Sequence, residues 1–424
     1  MAGEWKETTL GAIAAKSGYG LVDGPFGSNL PASCYTETGI PVIRGSNLTT
    51  GVARFRADEF VYVSQETANE NERSLCRPGD IVFTKKGTIG QTGFVPDGGK
   101  HSLYLLSSNQ MKLTVELSVA DPLFVYYFVS APSSVEKILR DSEATGVPKT
   151  NVAYLREFPI SLPPLAEQKA IAAVLGALDD KIELDRRMNA TLEAMARALF
   201  QSWFVDFDPV RAKLDGRNPD GLDKPTAALF PAAFQDSPLG PIPKGWEVRL
   251  LGDVIELAYG KPLKAEDRKG GSICVYGANG PVGSHDEKLV SGPGIVVGRK
   301  GNPGVVTWAH GDFYPIDTTF YVVPTGDCRS LHFLYYALSL HDLANLSADS
   351  AVPGLNRNHA YMSKQVIPKQ KMLEAFDAQV SPIFASIHAN AEQSRTLATL
   401  RDTLLPKLLS GDLAVPPALG KVNS

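Results

Sequence analysis

The sequence predicts a mixed α/β fold built from two similar α/β domains and two long antiparallel helices, arranged with pseudo-two-fold symmetry. Three observations predict it. Segments of the first half recur in order in the second half. Two stretches of about 40 residues lack helix-breaking Gly-Pro pairs and are rich in helix formers. Short apolar runs such as DIVFTKKG and GIVVGRKG lie between Gly, Pro, Asn and Asp turns, as strands do.

The internal repeat rests on short matched segments. Trp5 in WKETTLGAI corresponds to Trp246 in WEVRLLGDV, a spacing of 241 residues, and Tyr154 corresponds to Tyr361, a spacing of 207. The first copy therefore carries 34 more residues between these points, the difference between 241 and 207. Further pairs are Lys86 with Lys300, Tyr126 with Tyr335 and Tyr127 with Tyr336. Their preserved order predicts a duplication.

The two helical stretches predict a coiled coil of about 60 Å. Apolar residues spaced three and four apart predict the contact seam. The seam residues are Met188, Leu192, Met195 and Leu199 in the first helix, and Leu373, Phe376, Val380, Ile383, Ile387, Leu397, Leu400, Leu404 and Leu408 in the second.

Polar residues interrupt both seams, and two interpretations of them stay open. They either set the register of the pair or are simply exposed. Two prolines inside the second helix predict kinks or frayed turns, because each removes one backbone hydrogen bond. The interruptions are Lys181 and Asp185 in the first helix and Asn390 and Ser394 in the second, and the prolines are Pro382 and Pro406.

These patterns predict six segments. Residues 206–245, rich in Pro, Asp, Gly and Ala, have the composition of a linker. The segments are a first domain at 1–163, a first long helix at 164–205, the linker at 206–245, a second domain at 246–368, a second long helix at 369–410 and a tail at 411–424. Shorter helices are expected at 121–140 and 329–346.

Composition and motifs exclude several classes. The 424 residues carry a net charge of −4, which gives no sign of a uniformly basic nucleic-acid-binding surface. The chain has no P-loop motif, HExxH, paired CxxC or GxSxG, so we expect no catalytic residue, metal or cofactor. The four cysteines are too far apart for a metal motif or a dense disulfide framework. We expect a cytoplasmic protein, because the sequence shows no signal peptide and no apolar run of membrane-spanning length.

Paired cations on matched Gly-rich loops are the candidate nucleic-acid contacts. Lys85 and Lys86 follow one apolar strand, and Arg299 and Lys300 follow its counterpart. Such pairs can reach phosphates or groove edges, whereas the alternative is a pair of solvated hairpin tips. Weaker candidates, which are also ordinary loop residues, are Arg44, Asn47, Lys149, Asn279 and Arg357.

At these segments the sequence resembles the specificity subunits of Type I restriction-modification systems. LPPLAEQ at 162–168 leads into the first long helix, which continues into FQSWFVDFDPVRAK at 200–213. LRDTLLPKLLSGDL at 400–413 resembles the end of that family's second conserved helix. GPIPKGWEVRLLGDV at 240–254 and DGPFGSNL at 23–30 resemble the openings of its two recognition domains.

The resemblance implies a non-catalytic subunit. Its two target-recognition domains would each read half of a split site in double-stranded DNA, and its two helices would hold the halves apart. Two modification subunits would dock on the helices and supply S-adenosylmethionine and adenine methylation, and restriction subunits would add ATP-driven translocation and cleavage. No membrane partner is implied.

Partner contacts are predicted on the long helices. Asp179, Arg186, Arg187 and Arg197 are assigned to exposed helix faces, and the segment from Trp203 through Phe204 to Phe207 to an aromatic anchor. Core packing of Trp203 and Phe204 is the open alternative. Two other functions also stay open: a protein-binding scaffold without DNA affinity, and an enzyme with an unrecognised site.

Overall fold

The computed structural model describes residues 5–16, 19–51, 53–142, 150–346 and 354–415. The chain forms two compact units. Unit 1 comprises Met1–Asp185 and Glu392–Ser424, and unit 2 comprises Arg186–Ala391. Each long helix therefore contributes one part to each unit, and every contact described below lies within one unit. None of the described helices is long and apolar enough to cross a membrane.

Unit 1 contains eleven strands in its described residues. They are β1 (Lys6–Thr9), β2 (Leu21–Asp23), β3 (Tyr35–Thr36), β4 (Ile40–Ile43), β5 (Val61–Val63), β6 (Leu75–Cys76), β7 (Ile81–Thr84), β8 (Thr92–Phe94), β9 (Tyr104–Leu106), β10 (Gln110–Leu113) and β11 (Pro159–Leu162). Its shorter helices are α1 (Gln65–Glu70), α2 (Pro122–Ser130), α3 (Pro132–Ser142) and α4 (Val152–Glu157).

Three sheets organise unit 1. The order β2-β10-β7-β8 forms a four-stranded antiparallel sheet, and β3-β5-β4-β9-β6 forms a five-stranded sheet in which β4 and β9 are parallel. Strand β1 pairs with β11 and so closes the domain. Strand β7 is buried along its whole length, because Ile81 and Phe83 lie in the main apolar core with α2 and Val82 lies in a second apolar cluster with β4 and β9.

Unit 2 follows with eleven further strands in its described residues. They are β12 (Phe234–Gln235), β13 (Ile242–Pro243), β14 (Glu247–Leu250), β15 (Ile255–Tyr259), β16 (Ile273–Gly277), β17 (Gly280–His285), β18 (Gly294–Gly298), β19 (Val306–Ala309), β20 (Phe313–Pro315), β21 (Thr319–Pro324) and β22 (Lys364–Ile367). Its shorter helices are α6 (Asp208–Leu214), α7 (Lys224–Leu229), α8 (Leu251–Val254), α9 (Leu331–Leu340) and α10 (Arg357–Tyr361).

The sheets of unit 2 repeat those of unit 1. The order β15-β21-β18-β19 corresponds to β2-β10-β7-β8, and β14 pairs with β22 as β1 pairs with β11. The parallel pair of β16 with β20 corresponds to that of β4 with β9. Strand β5 beside β4 likewise corresponds to β17 beside β16, so unit 1 adds only β3, β6 and α1 among these elements.

The repeat extends to single hydrogen bonds. The backbone N–H of Thr150 donates to the Lys85 carbonyl at 3.0 Å, and that of Leu355 donates to the Arg299 carbonyl at 2.9 Å. Asn151 caps α4 and Asn356 caps α10, each by accepting from backbone N–H groups of the first turn. The predicted mixed α/β duplication is thus confirmed at the level of strand register.

Both long helices are present. Helix α5 spans Leu165–Phe204 and α11 spans Gln370–Leu409, each 40 residues long, so equivalent positions differ by 205 (370 minus 165). In unit 1 the partner residues run from Asp179–Arg401 to Asp185–Ser394, and this opposite order shows antiparallel packing. In unit 2, Phe200 and Phe204 of α5 likewise pack on Phe376 near the start of α11.

The seam predicted for α5 is partly wrong. Met188 and Met195 are 40% and 55% exposed, whereas Asp185 and Ala196 are fully buried. In α11 Leu400 is 45% exposed and its neighbour Arg401 is buried. Sequence spacing alone chose a face adjacent to the real one, because the contact face is interrupted by polar residues that hydrophobic periodicity discards.

Three of those polar residues, Asp185, Asn390 and Ser394, face the partner helix. The Asn390 amide donates to Asn189 Oδ1 at 2.9 Å, and Ser394 Oγ donates to the buried Asp185 carboxylate at 3.5 Å. Lys181 also pairs with Asp185. The two cross-helix pairs occupy equivalent positions under the difference of 205, so of the two open interpretations the structure favours register specification.

The expected frayed turns are absent from the described helix α11. The helix continues through Pro382 and Pro406, and both prolines are exposed. Each proline lies on the side of the helix away from the seam, where water can solvate the carbonyl that loses its N–H partner.

The linker prediction is also wrong. Residues 206–245 form α6, α7 and the β12–β13 hairpin, and they contribute Phe207, Val210, Phe230 and Ile242 to the core of unit 2. The same core contains Trp203 and Phe204, which are 1% and 4% exposed. Residues 206–245 have the composition of a linker only because small and turn-forming residues separate these few apolar core residues.

Candidate nucleic-acid interface

In unit 1 the predicted cations meet in a polar concavity of about 540 Å³. Arg44 follows β4 and Lys86 follows β7, and both line it. No lining residue is acidic among those the structure describes, so the concavity favours an anion. Its polar lining is completed by Tyr35, Ser46, Thr84, Thr88, Gln91, Ser107, Ser108, Asn109 and Gln110.

Two buried polar atoms of this lining lack hydrogen-bond partners within the described part of the chain. They are Nε of Arg44 and Oγ1 of Thr84. A second atom of Arg44, Nη2, donates to the Glu59 carbonyl at 2.8 Å, which holds the guanidinium in place. A guanidinium held in this way lines the concavity as a fixed positive charge, which favours an anion such as a phosphate.

The two lysines after β7 have different environments. Lys85 is half-buried, and its Nζ forms an ion pair with Asp23 Oδ1 at 3.0 Å. Lys86 is exposed and carries no ion pair among the described residues. Gly87 then adopts a φ of +101°, which L side chains rarely adopt, so the chain turns sharply and leaves Lys86 at the tip.

Asn47 is a correction to the predicted contacts. Its side chain is fully buried, and Nδ2 donates to the carbonyls of Arg56 and Asp58 while Oδ1 accepts from the Arg44 N–H. The amide organises the loop after β4 and has no donor left for a base. Lys149 lies outside the described residues, so its predicted contact stays a prediction.

Unit 2 places its predicted cations at the equivalent strand end. Arg299 and Lys300 follow β18, and Lys300 is exposed with no ion pair among the described residues. A side chain at Gly298 would lie 2.8 Å from the Ala278 carbonyl. This close approach brings the exposed Asn279, in the turn between β16 and β17, against the same strand end.

Arg299 and Arg357 both contact a residue that the sequence patterns did not reveal. Tyr259, the last residue of β15, has the guanidinium carbons of Arg299 and Arg357 at 5.0 Å and 5.1 Å from its ring centroid. Its position in the repeat was the available signal. Tyr259 pairs with Phe320 on β21 as Asp23 pairs with Met111 on β10, so Tyr259 and Asp23 are equivalent.

The predicted partner contacts separate into buried and exposed sets. Asp179 is buried, and its carboxylate binds Arg401 Nη1 at 2.8 Å and accepts from Tyr127 Oη at 2.7 Å. Burial, reinforced by the Asp179 charge, raises the pKa of Tyr127 far above its ordinary value, so the phenol stays protonated and donates.

Asp179 is therefore not an exposed contact, and the same correction applies to the buried aromatic side chains of Trp203, Phe204 and Phe207. Core packing, the alternative held open for Trp203 and Phe204, is what the structure shows. Arg186, Arg187 and Arg197 are exposed on α5, as predicted.

Taken together, the fold is a duplicated α/β protein whose two copies each carry cations at the end of a buried central strand. The sequence matches the family described as Type I restriction modification DNA specificity domain over residues 27–194 and 243–368. The matched residues make up more than half of the chain, and the chain therefore belongs to this family.

Two similar proteins bear the name of Type I specificity subunits, in agreement with the family match. The chain is 26% identical over 404 residues to the Type I restriction enzyme HindI specificity subunit of Haemophilus influenzae, covering 78% of this chain and 87% of that protein. It is 26% identical over 386 residues to the MjaIX specificity subunit of Methanocaldococcus jannaschii, covering 84% of each.

The fold also resembles a crystal structure of a Type I restriction-modification system S subunit from M. genitalium. The TM-score is 0.58 at 17% identity, and the match covers 96% of each chain. This likeness concerns the fold alone, and with the family match it confirms the fold class that the sequence predicts.

Proposed function

We propose that this chain is the DNA sequence-specificity subunit of a Type I restriction-modification complex and reads a bipartite site, one half-site with each unit. The observation that carries the proposal is the same order of cations after the buried central strand of both copies. The first cation, Lys85 or Arg299, is held by a neighbouring side chain, and the next one, Lys86 or Lys300, is exposed. A chance solvated tip has no reason to recur at the same register.

The proposed contacts have two layers. Lys86, Lys300 and Asn279 are exposed and reach DNA directly. Arg44, Arg299 and Arg357 are half-buried and held by backbone carbonyls, so they present donors in fixed positions. Lys85 contributes less charge because Asp23 compensates it, and Lys149 is retained as a proposed contact.

Binding by the isolated chain is expected to be weak. The net charge is −4, with 42 basic and 46 acidic residues, so the chain as a whole is not attracted to a polyanion. We therefore propose that the modification subunits share the DNA clamp. The complex binds its site tightly, and the chain alone shows low affinity with a shallow salt dependence.

Docking of partner subunits is proposed on exposed flanks of α5 in unit 2. Arg186 and Arg197 are eleven positions apart and so share one flank of the helix, while Met188 and Met195 are seven apart and share another. Exposed methionines beside arginines are typical of interface cores. Arg187 lies at the outer face of the same helix.

The catalytic work belongs to the partners in this proposal. Two modification subunits supply S-adenosylmethionine and adenine methylation, and restriction subunits supply translocation and cleavage. The chain itself is proposed to be non-catalytic, to need no cofactor of its own and to act in the cytoplasm with its DNA substrate. Its two long helices act as the spacer between the half-sites.

Co-expression with a Type I methyltransferase subunit from the same operon tests the assembly. Light scattering should give the mass of two methyltransferase subunits per copy of this chain, and methylome sequencing should then show a split motif. Met188→Asp combined with Met195→Asp should prevent assembly while the chain stays folded. A wild-type chain that remains alone at micromolar concentration, or a complex without a split motif, would leave the protein-binding scaffold as the better proposal.

Single lysines test the two half-sites separately. In the assembled complex Lys86→Ala and Lys300→Ala should each weaken binding by about 1–3 kcal/mol if the lysine reads a base, and only against the matching half-site. A phosphate contact should instead give a smaller loss for all sequences and lower the salt slope by about 1. Lys364→Ala, an exposed lysine on β22, is the control and should change neither.

A further inference from the structure

Tyr259 has an environment that a folding role does not explain. Its side chain is 51% exposed, so little apolar surface is removed from water there. Two guanidinium groups nevertheless lie within about 5 Å of its ring, those of Arg299 and Arg357. Phe320, directly opposite on β21, supports the ring at a centroid distance of 5.0 Å.

Both arginines are also anchored from behind. Arg299 Nη1 donates to the Asp317 carbonyl at 2.8 Å, and Arg357 Nη1 donates to the Leu257 carbonyl at 3.4 Å. Each guanidinium is therefore held at one nitrogen by the backbone and lies over the Tyr259 ring. Neither forms an ion pair with a described carboxylate, so no adjacent negative charge compensates them.

The second arginine comes from a separate element that is itself tied to the same strand. Arg357 is the first residue of α10, and Tyr361 at the end of that helix accepts a hydrogen bond from the Leu257 N–H at 2.8 Å. Strand β15 thus fixes α10 through Leu257 and presents Tyr259 two residues later. The ring and both cations belong to one small rigid unit.

We propose that Tyr259 is a specificity-determining positioning residue, whose ring holds Arg299 and Arg357 side by side for contact with guanine edges in the half-site read by unit 2. This rests on the proposed function. A carboxylate at this place would align the arginines and also cancel their charge, as Asp23 does for Lys85. An aromatic face aligns them by cation–π attraction and leaves the donors charged. Arginine is the side chain that matches the two acceptors of a guanine edge.

The test uses the complex with methyltransferase subunits and a duplex carrying the split site identified by methylome sequencing. Three probes are compared: the intact site, a site in which the half read by unit 1 (the first half) is scrambled, and a site in which the half read by unit 2 (the second half) is scrambled. Tyr259→Leu should reduce discrimination against the scrambled second half by about tenfold or more, because correctly placed arginine–guanine contacts carry most of such discrimination. Discrimination against the scrambled first half should stay unchanged.

Tyr259→Phe keeps the ring and should retain discrimination within about twofold, since cation–π attraction needs the aromatic face and not the hydroxyl. Tyr19→Leu is the matched control, because Tyr19 is 52% exposed in unit 1 and no described arginine lies over its ring. It should leave both half-sites unaffected. Thermal melting of each variant establishes that it is folded.

Equal loss of binding to all three probes by Tyr259→Leu, with a shallower salt slope, would overturn the proposal, because it would assign the arginines to phosphates. Loss by Tyr259→Phe equal to that by Tyr259→Leu would overturn it as well. A wild-type complex that does not discriminate the second half-site would refute the proposed function itself, a result distinguishable from failure of the Tyr259 variants alone.

Discussion

The two units meet the long helices at equivalent positions with opposite chemistry. Asp179 on α5 and Phe384 on α11 differ by 205, and both are buried against the domain of their own unit. In unit 1 the Asp179 carboxylate binds Arg401 and Tyr127. In unit 2 the Phe384 ring packs at 4.7 Å from the rings of Trp308 and His332. The duplication therefore preserved the contact position and the register, and not the kind of contact.

The partner residues changed together. Arg401 is equivalent to Ala196, and Ala196 is fully buried with no polar group to satisfy. Tyr127 and its counterpart Tyr336 remain in both copies, and Tyr336 Oη donates instead to Glu193 at 3.3 Å. A buried carboxylate needs compensating donors, whereas an aromatic ring needs only neighbours of the right shape. Each unit satisfies one of these requirements in full.

The largest predicted effects come from breaking either junction. Asp179→Ala should lower the free energy of unfolding of unit 1 by about 3 kcal/mol, because Tyr127 Oη and Arg401 Nη1 would lose their buried acceptor and Arg401 would keep only the exposed Asp402. Phe384→Ala should lower that of unit 2 by about 3–5 kcal/mol through loss of buried area and a cavity. Urea unfolding measures both.

Glu392→Ala is the control for the first variant, since Glu392 forms an exposed ion pair with Arg395 on α11 in unit 1 and should change stability by less than about 1 kcal/mol. A loss for Asp179→Ala as small as that of the control would contradict the picture of a buried charge network.

A smaller change in stability is expected when the buried polar contact of unit 1 is replaced by apolar residues like those at the equivalent place in unit 2. The triple variant Asp179→Leu, Arg401→Leu, Tyr127→Phe removes the charges and the hydroxyl together. Replacing a buried ion pair by apolar residues is often neutral or mildly stabilising, so the triple variant should lie within about 2 kcal/mol of the wild type. If it is less stable than Asp179→Ala alone, the ionic network contributes geometry that apolar packing does not replace.

At the candidate interface, too, the ends of equivalent strands keep the same positions in contact but use different chemistry. Asp23 and Tyr259 are equivalent, and each holds the cation that follows the central strand of its unit, Lys85 or Arg299. The next residue, Lys86 or Lys300, is exposed in both units. One cation is thus held and one presented, although an ion pair does the holding in unit 1 and a ring does it in unit 2.

Sequence patterns predicted the features that depend on local periodicity or on recurrence. The lengths of α5 and α11, the duplicated strands and the exposed Lys86 and Lys300 belong to this group. The face that α5 turns to its partner was missed, because Met188 and Met195 are hydrophobic at helical spacing while the real face contains Asp185 and Asn189. Hydrophobicity alone does not reveal that a polar side chain has a partner 201 or 209 residues away in the sequence.

The site was predictable in part for the same reason. Lys86 and Lys300 were chosen as candidates because two loops share a pattern, and the structure shows both side chains exposed. Tyr259 was missed because its counterpart, Asp23, has a different chemistry and the equivalence becomes visible only through strand pairing. Asn47 was assigned to DNA because a loop asparagine that satisfies backbone groups has the same sequence appearance as one that reads a base.

The smallest predicted effect sharpens the comparison of the strand ends. Asp23→Asn removes the charge that compensates Lys85 and keeps the size of the side chain, and both groups are about 30% exposed. Stability should change by less than about 1 kcal/mol, as for other partly exposed ion pairs. The uncompensated Lys85 should steepen the salt dependence of DNA binding by the complex, by up to about one released counterion. Asp97→Asn, in an exposed turn of the same unit, is the control and should leave the salt slope unchanged. An unchanged slope for Asp23→Asn would mean that Lys85 is too far from the DNA backbone, and that Lys86 alone supplies the cation at this strand end.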